Sequence, residues 1–369
     1  MLLLFPFYSV ATNNVGGSNS GGSFSNINYF GWNDYGVSVF PEFKDLKMHI
    51  RCYRNLNLTK INKPTAIFDS GLPFPSLAYA DFIEELIAEL PSMNIGKVCF
   101  FDRYGYGYSD PSPYALNSNE TAYRLHESLR IAHINPPYIL AGWSWGNVDN
   151  QFFAHNYMQD VVGILSIDGT DSGYATDSNN LGIISTATTY FNNLVAMQNN
   201  GTIKSFTEHN VVPMAYGYLP NNTNMTQSVV NKINNLFITE DFLNVALQEL
   251  SIMISSTQLL ANVYSAMNVT CPLSNIPFFV LTADQNDTVW NNRQTQMATM
   301  SSVSEHIFIK SSHFIPIDKP YFIVSSLKSL LKNVDKQIPI NVLQSKNNSL
   351  KKYEGDETLV FLNSLAAKN

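Results

Sequence analysis

Short apolar runs alternate along the chain with longer stretches in which apolar residues recur at helical spacing. The short runs predict strands, and the longer stretches predict helices. Strands are expected over 46–53, 65–68, 97–102, 138–142 and 161–167, and helices over 76–90, 121–134 and 145–158. Because strands that alternate with helices form a parallel sheet covered on both faces, the pattern predicts an α/β fold class.

The alternation stops after residue 171. Residues 172–271 are polar and rich in Asn, with helical patches such as 241–267 and no strand pattern. The alternation then resumes, with strands expected over 276–281 and 306–309 and helices near 290–300 and 321–331. A helical insertion before the last two strands would lie over the carboxyl edge of the sheet, where such folds bind their ligands. We therefore predict that residues 172–271 form a helical lid.

The rest of the chain divides around this insertion. Residues 31–171 and 272–333 are predicted to form the core, and residues 334–369 a tail with little pattern. Within residues 1–30, an apolar stretch that ends at Ala11 precedes a flexible linker rich in Gly, Ser and Asn. The apolar stretch is too short to span a bilayer and has the character of a secretory-signal remnant. We expect the protein to be secreted or in the secretory lumen, where its N-x-[ST] sequons would accept glycans, with the cytoplasm as the alternative.

Composition limits the classes of function. Apolar residues make up 45% of the chain, which suffices for a sizeable core, while charged residues make up only 14%. Lys and Arg number 22 against 29 acidic residues, and no block of basic residues is present, so nucleic acid is not an expected partner. The sequence has no metal-binding motif, and we expect neither a metal nor a cofactor. The three cysteines allow at most one disulfide and leave one thiol free.

One pentapeptide has the G-x-S-x-G pattern of a nucleophile elbow: Gly142-Trp143-Ser144-Trp145-Gly146. Ser144 follows an apolar strand and precedes a helix, which is the context that this sharp turn requires. The turn also needs very small residues two positions before and two positions after the serine, where Gly142 and Gly146 stand. Because a helix N-terminus favours the negative charge that develops in acyl transfer, Ser144 is the predicted nucleophile.

A serine hydroxyl is a poor nucleophile and needs a base. Six of the seven histidines lie in predicted strands, helices or the lid, where a structural or solvated role is expected: His49, His126, His133, His155, His209 and His306. His313 differs, because it lies in the loop after the last predicted strand, at the edge of the sheet where catalytic side chains converge. It also follows the serine in chain order, as folds with this elbow require. His313 is the predicted general base.

On these residues the chain resembles the Ser-dependent α/β-hydrolases of the esterase, lipase and proline-iminopeptidase-like superfamily. The resemblance covers residues 45–171 and 275–332 and rests on six segments in the expected order: 46–52, 65–72, 101–110, 137–146, 162–168 and 312–320. It implies an α/β-hydrolase fold and an oxyanion hole formed by the backbone N–H groups of Leu72 and Trp145. The segment 101–110 lacks the third glycine of a dinucleotide-binding loop, and we interpret it as a structural turn that shapes the cleft.

The base needs a carboxylate that fixes its tautomer and stabilises the imidazolium. Asp168 ends the strand before the insertion, whereas Asp284 and Asp287 follow the strand after it. Most of the superfamily uses the later position, which favours Asp287. Members that resemble this chain in having a helix like the one with Trp290 and Gln294 often lack an acid there, which favours Asp168. We predict Asp168 and keep Asp287 and Asp284 as alternatives.

These predictions favour a serine hydrolase that cleaves a carboxylic ester of a small or apolar substrate through an acyl-enzyme. An aminopeptidase resembling proline iminopeptidases is the alternative, with Glu240 and Asp241 as the candidate pair for the substrate amine. A third possibility is a hydrolase-fold binding protein without turnover. Epoxide hydrolases and haloalkane dehalogenases are disfavoured, because they resemble this fold but have Asp where Ser144 stands. Trp143 and Trp145 either narrow the cleft or pack in the core, and the oligomeric state is left open.

Overall fold

The computed structural model describes residues 35–58, 63–203 and 227–336, and an eight-stranded sheet runs through them. The strands of this sheet are β1 (Val37–Val39), β4 (Ile50–Arg54), β5 (Thr65–Asp69), β6 (Lys97–Phe101), β7 (Tyr138–Trp143), β8 (Val161–Ile167), β9 (Phe278–Ala283) and β10 (Ser304–Ile309). Their spatial order is β1-β4-β6-β5-β7-β8-β9-β10. Only β1–β4 and β4–β6 pair antiparallel, and every later pair is parallel. The predicted α/β class with a mostly parallel sheet is confirmed.

Helices flank this sheet. They are α1 (Ala80–Glu89), α2 (Ser118–Ile131), α3 (Gly146–Asn156), α4 (Ser178–Asn199), α5 (Gln227–Phe237), α6 (Glu240–Met267), α7 (Thr288–Ala298), α8 (Ile315–Asp318) and α9 (320–336). Every residue of β5, β7 and β9 is buried. Burial on both faces explains why these strands are continuous apolar runs in the sequence rather than alternating ones.

The N-terminal strands differ from the prediction. The single strand expected over 46–53 is two strands, because β3 (Leu46–Lys47) pairs with β2 (Glu42–Phe43) in a hairpin of its own and β4 begins at Ile50. Lys44 and Asp45 form the hairpin turn with positive φ angles of 50° and 61°. The side chain of Asn117 accepts a hydrogen bond from the N–H of Glu120, so α2 begins three residues before the predicted start at 121.

The insertion between β8 and β9 is helical where the structure describes it. It contains α4, α5 and the 28-residue helix α6, which packs against α4 and α3. Residues 204–226 of the predicted lid lie outside the described residues, as do residues 1–34, which include the predicted signal remnant and linker. Of the predicted tail, 334–336 belong to α9 and the remainder is not described. The described helices include none that is long and apolar enough to cross a membrane.

Two of the three cysteines form a disulfide within the sheet. Cys52 of β4 and Cys99 of β6 lie directly opposite each other on antiparallel strands, with their Cα atoms 4.0 Å apart. Cys271 is a free, half-buried thiol. The bond therefore joins strands that are neighbours in space but are separated by 47 residues in the chain.

Candidate active site

Ser144 lies in a strained turn between β7 and α3. Its φ angle is +53°, a left-handed conformation that is rare for a residue with a side chain. A Cβ on Gly142 would lie 2.6 Å from the backbone nitrogen of Asn147, and a Cβ on Gly146 would lie 2.7 Å from the carbonyl oxygen of Asp69. Only glycine fits at either position. The backbone therefore has the geometry of a nucleophile elbow, and the half-buried Ser144 side chain stands at its apex.

The imidazole of His313 contacts this serine. His313 lies in the loop between β10 and α8, and its Nε2 is 2.9 Å from the Ser144 Oγ. Two hydrogen bonds fix the position of this loop. The indole N–H of Trp143 donates to the carbonyl oxygen of His313 at 2.9 Å, and the hydroxyl of Ser312 donates to Asp318 at 2.5 Å. His313, the predicted base, thus lies in the loop at the carboxyl edge of the sheet, as the sequence predicts.

The carboxylate next to His313 belongs to Asp168. Its Oδ2 is 2.6 Å from the His313 Nδ1, and its Oδ1 accepts hydrogen bonds from the N–H of Ala283 at 3.0 Å and from the indole of Trp290 at 2.8 Å. Because the carboxylate accepts from Nδ1, the neutral imidazole keeps Nε2 as an acceptor for the Ser144 hydroxyl. Asp168 is only 1% exposed and has a φ angle of +44°, which turns its side chain out of β8 toward the imidazole.

The other two aspartates have different partners. Asp284 accepts hydrogen bonds from the Lys310 ammonium at 2.5 Å and from the Asn291 amide at 3.1 Å, and these bonds lower its pKa to about 2. Asp287 caps α7 by accepting from the N–H groups of Val289 and Trp290, both at 3.0 Å. The structure therefore brings Asp168 to His313 and assigns Asp284 and Asp287 to structural contacts.

The predicted oxyanion loop passes directly beside the elbow. A Cβ on Gly71 would lie 3.0 Å from the Cβ of Ser144, so any side chain at position 71 would have to displace Ser144 slightly. Leu72 follows immediately and is half-buried. Trp145 precedes the first residue of α3, where backbone N–H groups have no acceptor within the helix. Both predicted N–H donors therefore belong to residues that adjoin Ser144 in space or in sequence.

Aromatic side chains cluster next to the elbow that contains Ser144. The ring of Phe74, two residues after Leu72, lies 4.7 Å from Trp143, 5.7 Å from Phe314 and 6.2 Å from Phe237 of α5. Trp143 and Trp145 are each only 1% exposed. The two tryptophans of the elbow therefore pack in the core, and Phe74 makes an apolar contact with Phe237 of the insertion.

The comparisons with known proteins address the fold. No family model matches the chain. Over 115 residues it is 28% identical to the uncharacterized protein YbdG of Bacillus subtilis (strain 168), and the matched segment covers 31% of this chain and only 34% of that protein. Among solved structures, the chain is similar to a mutant of a protein described as an epoxide hydrolase from Pseudomonas aeruginosa, with a TM-score of 0.60, 15% identity and coverage of 82% of this chain and 97% of that one. It is also similar to a thermophilic esterase from Thermogutta terrifontis, with a TM-score of 0.54, 17% identity and coverage of 81% and 98%. The chain has the α/β-hydrolase fold.

This α/β-hydrolase fold also contains a buried charge cluster that the sequence analysis missed. Arg103, in the segment 101–110, donates to Asp69 at 2.7 Å and to Glu249 of α6 at 2.7 Å, and lies 3.9 Å from Asp149 of α3. Burial raises the pKa of Asp69, and burial together with the charge of Asp69 raises the pKa of Asp149 well above its usual range. Burial alone would lower the pKa of Arg103, but Glu249 and Asp69 raise it well above its usual value.

A second Ser–His–Asp series lies in the sheet. The Oγ of Ser38 is 2.9 Å from His49 Nε2, and His49 Nδ1 is 2.7 Å from Asp102. His49 and Asp102 are fully buried, and Asp102 also accepts from the N–H of Ser76 at 2.7 Å. Since no substrate can reach a fully buried imidazole, this series is a structural link between strands and loops. The described residues contain no group of His, Cys, Asp or Glu side chains that could hold a metal ion.

Proposed function

We propose that this protein is a serine hydrolase that cleaves carboxylic esters through an acyl-enzyme. One observation carries the proposal: Ser144 Oγ, the two ring nitrogens of His313 and the Asp168 carboxylate form a continuous hydrogen-bonded series with distances of 2.9 Å and 2.6 Å. An imidazole within 3.2 Å of a serine hydroxyl, and itself oriented by a third group, is the arrangement that activates a serine.

The mechanism follows from these contacts. His313 Nε2 takes the hydroxyl proton as Ser144 Oγ attacks the ester carbonyl, and Asp168 stabilises the resulting imidazolium. The N–H groups of Leu72 and Trp145 bind the oxyanion of the tetrahedral intermediate. The imidazolium then protonates the leaving alcohol, and the acyl group stays on Ser144. A water molecule, deprotonated by His313, then attacks the acyl carbonyl, the bond to Ser144 Oγ breaks, and His313 returns the proton to that oxygen as the acid leaves.

The substrate is an apolar ester. The residues that extend from the oxyanion loop toward the insertion are aromatic, with Phe74, Phe314 and Phe237 in contact around the elbow. Phe314 and Leu72 are half-buried and so remain accessible beside Ser144. Binding an apolar acyl or alcohol group there would remove apolar surface from water at roughly 25 cal/mol per Å².

Two observations favour an ester over the substrates of related classes. The nucleophile position holds Ser144 rather than the aspartate that epoxide hydrolases of this fold have there. Glu240 and Asp241, the candidate pair for an amino terminus, are exposed in the first turn of α6, where the helix dipole favours them without a ligand. Glu249 is the buried acid of α6, and Arg103 already neutralises it.

A fluorophosphonate probe tests the proposal, because it reacts with activated serines. We expect mass spectrometry to locate the label at Ser144, and the label to be lost in Ser144→Ala. Ser38→Ala is the matched control, since it removes the serine of the buried Ser–His–Asp series and should leave labelling intact. Hydrolysis of p-nitrophenyl esters, measured against a prolyl arylamide, then separates the esterase from the aminopeptidase. Folded protein that neither takes the label nor cleaves either substrate would contradict the proposal.

We also infer that the protein acts in an oxidising compartment, as its secretion would require. The disulfide between Cys52 and Cys99 supports this, because such bonds persist in secreted proteins and are rare in the cytosol. Thiol titration of protein taken directly from its native source tests it. We expect one free thiol per chain, whereas three would contradict the inference.

A further inference from the structure

Arg103 connects the oxyanion loop with the inserted helix α6. On the loop side, its Nη1 donates to the Asp69 carboxylate at 2.7 Å and to the carbonyl oxygen of Ser70 at 2.5 Å, and its Nη2 donates to the carbonyl oxygen of Gly71 at 3.4 Å. These three consecutive residues lead directly into Leu72. Arg103 is only 4% exposed, so water does not compete for these acceptors.

The Gly71 carbonyl matters because of the peptide group to which it belongs. The carbonyl oxygen of Gly71 and the N–H of Leu72 lie in one rigid plane and point in opposite directions. The same oxygen accepts from the N–H of Phe74 at 2.7 Å. Two donors on one carbonyl therefore fix the direction in which the Leu72 N–H points, and that N–H is a donor of the proposed oxyanion hole.

On the other side, Glu249 holds the guanidinium. Arg103 Nε donates to one carboxylate oxygen at 2.7 Å and Nη2 donates to the other at 3.1 Å, so the pair is bidentate. The Tyr106 hydroxyl donates to Glu249 as well, at 2.8 Å. Glu249 is 8% exposed and lies on α6, 146 residues away from Arg103 in the chain. The orientation of the guanidinium thus depends on the docking of α6.

We propose that Arg103 and Glu249 are positioning residues for the oxyanion hole, so that docking of the inserted helix α6 sets the orientation of the Leu72 N–H. The inference rests on the proposed ester hydrolysis. Neither side chain touches the reacting atoms. Arg103 contacts the peptide group between Gly71 and Leu72, next to Ser144, and Glu249 keeps Arg103 in the orientation that this contact requires.

The test compares two substitutions that each remove a carboxylate from a buried arginine. Glu249→Gln keeps the shape but loses the charge-assisted pair with Arg103. Glu120→Gln is the matched control, because Glu120 accepts from the buried Arg124 at 2.9 Å within α2, far along the chain from the oxyanion loop. Hydrolysis of a short p-nitrophenyl ester gives kcat and KM, and a boronic acid, whose tetrahedral adduct occupies the oxyanion hole, gives an inhibition constant.

For Glu249→Gln we expect kcat to fall about 10-fold or more with KM changed less than about twofold, and the boronic acid to bind more weakly by the same factor as kcat. Loss of a whole oxyanion donor costs about 10²–10³ in kcat, so a misaligned one costs part of that. For Glu120→Gln we expect kcat and boronic acid binding within about twofold of wild type. Tyr106→Phe removes one hydrogen-bond donor from Glu249, and we expect it to lower kcat and boronic acid affinity by a smaller factor. If Glu249→Gln does not fold, Tyr106→Phe is the deciding variant.

Unchanged kcat and boronic acid affinity in folded Glu249→Gln or Tyr106→Phe would overturn the positioning role, as would a change in KM alone. Fluorophosphonate labelling of the wild type keeps the two hypotheses apart. A wild type that is neither labelled nor active overturns the proposed function, and the positioning role with it. A labelled, active wild type whose variants behave like it overturns only the positioning role.

Discussion

Trp290 orients the carboxylate of the candidate triad. Its indole N–H donates to Asp168 Oδ1 at 2.8 Å, and its ring faces that of His313 edge-on at 6.4 Å. Trp290→Phe keeps an aromatic ring but removes the donor to a carboxylate, a bond that contributes about 1.5–3 kcal/mol. We expect kcat for ester hydrolysis to fall about 10-fold or more with little change in KM. Wild-type kcat in a folded variant would show that Ala283 alone suffices to orient Asp168.

The choice of the acid can be tested at the same scale. Asp168→Asn should lower kcat by about 10⁴, because an amide at this position favours the wrong imidazole tautomer. Asp287→Asn should leave kcat within about twofold, since Asp287 only caps α7, and should lower the unfolding free energy by less than about 1 kcal/mol because Asn is also a good cap. Steady-state kinetics and thermal unfolding of both variants check this. A larger loss of kcat in Asp287→Asn would contradict the observed contacts.

The sequence supports Ser144 and His313 more strongly than it supports the acid, for a physical reason. Ser144 has a local signature, because the elbow requires glycine at 142 and 146. The three candidate aspartates all lie at the carboxyl ends of the neighbouring strands β8 and β9. Which of them reaches the imidazole depends on the φ angle of Asp168 and on donors from Ala283 and Trp290, which are more than 100 residues away.

At the scale of elements, β5 and α3 each contain a buried carboxyl group, Asp69 and Asp149, whose pKa is raised by burial. Asp149 of α3 has its pKa raised well above the usual value by burial and by Asp69. A raised pKa means that the folded protein binds this proton more tightly than the unfolded chain does. The stability that the proton supplies is complete below the unfolded pKa, at about 4, and is lost as pH rises through the folded pKa.

Asp149→Asn removes this titration. As the pH rises above about 4, the unfolded-state pKa, we expect the unfolding free energy of the wild type to fall relative to that of the variant, which keeps a neutral side chain throughout. Denaturant unfolding at several pH values measures the difference. If the unfolding free energies of the wild type and of Asp149→Asn depended on pH in the same way, Asp149 would not hold a proton in the folded protein.

The sequence predicts strands and helices correctly where a strand is buried on both faces or a helix is amphipathic. The strands β5, β6, β7 and β8 are continuous apolar runs, and each was expected within two residues of its observed bounds. Helix α4 has no clear pattern in the sequence, because only Ile184, Phe191 and Leu194 of its 22 residues are buried, and such a narrow stripe has little periodic signal. The strands β1 and β2 were missed because they are two or three residues long and partly exposed.

At the scale of the molecule, the site is assembled by the topology. Leu72, Ser144, Asp168 and His313 lie in the segments that follow β5, β7, β8 and β10, and Trp290 lies in α7, which follows β9. Parallel strands bring their carboxyl ends to one edge, so the order of strands and helices predicts this convergence. The contacts of Arg103 with α6 could not be foreseen, because they depend on how the insertion packs on the core, and no local pattern encodes that packing.

The disulfide joins two strands, β4 and β6, that lie on the other side of β5 from β7. The disulfide between Cys52 and Cys99 closes a loop of 47 residues, and a cross-link of that span stabilises a fold by about 2–4 kcal/mol, chiefly by restricting the unfolded chain. The double variant Cys52→Ala with Cys99→Ala should therefore unfold at a lower temperature. Its kcat at 25 °C should match that of the wild type, because β6 and β5 separate β4 from β7, which leads into the candidate nucleophile Ser144. Cys271→Ser, which alters only the free thiol, should change neither value. A double variant as stable as the wild type would mean that strand pairing alone holds β4 in place. A lower kcat in a double variant of full stability would mean that a change in β4 is transmitted to the site through β6 and β5.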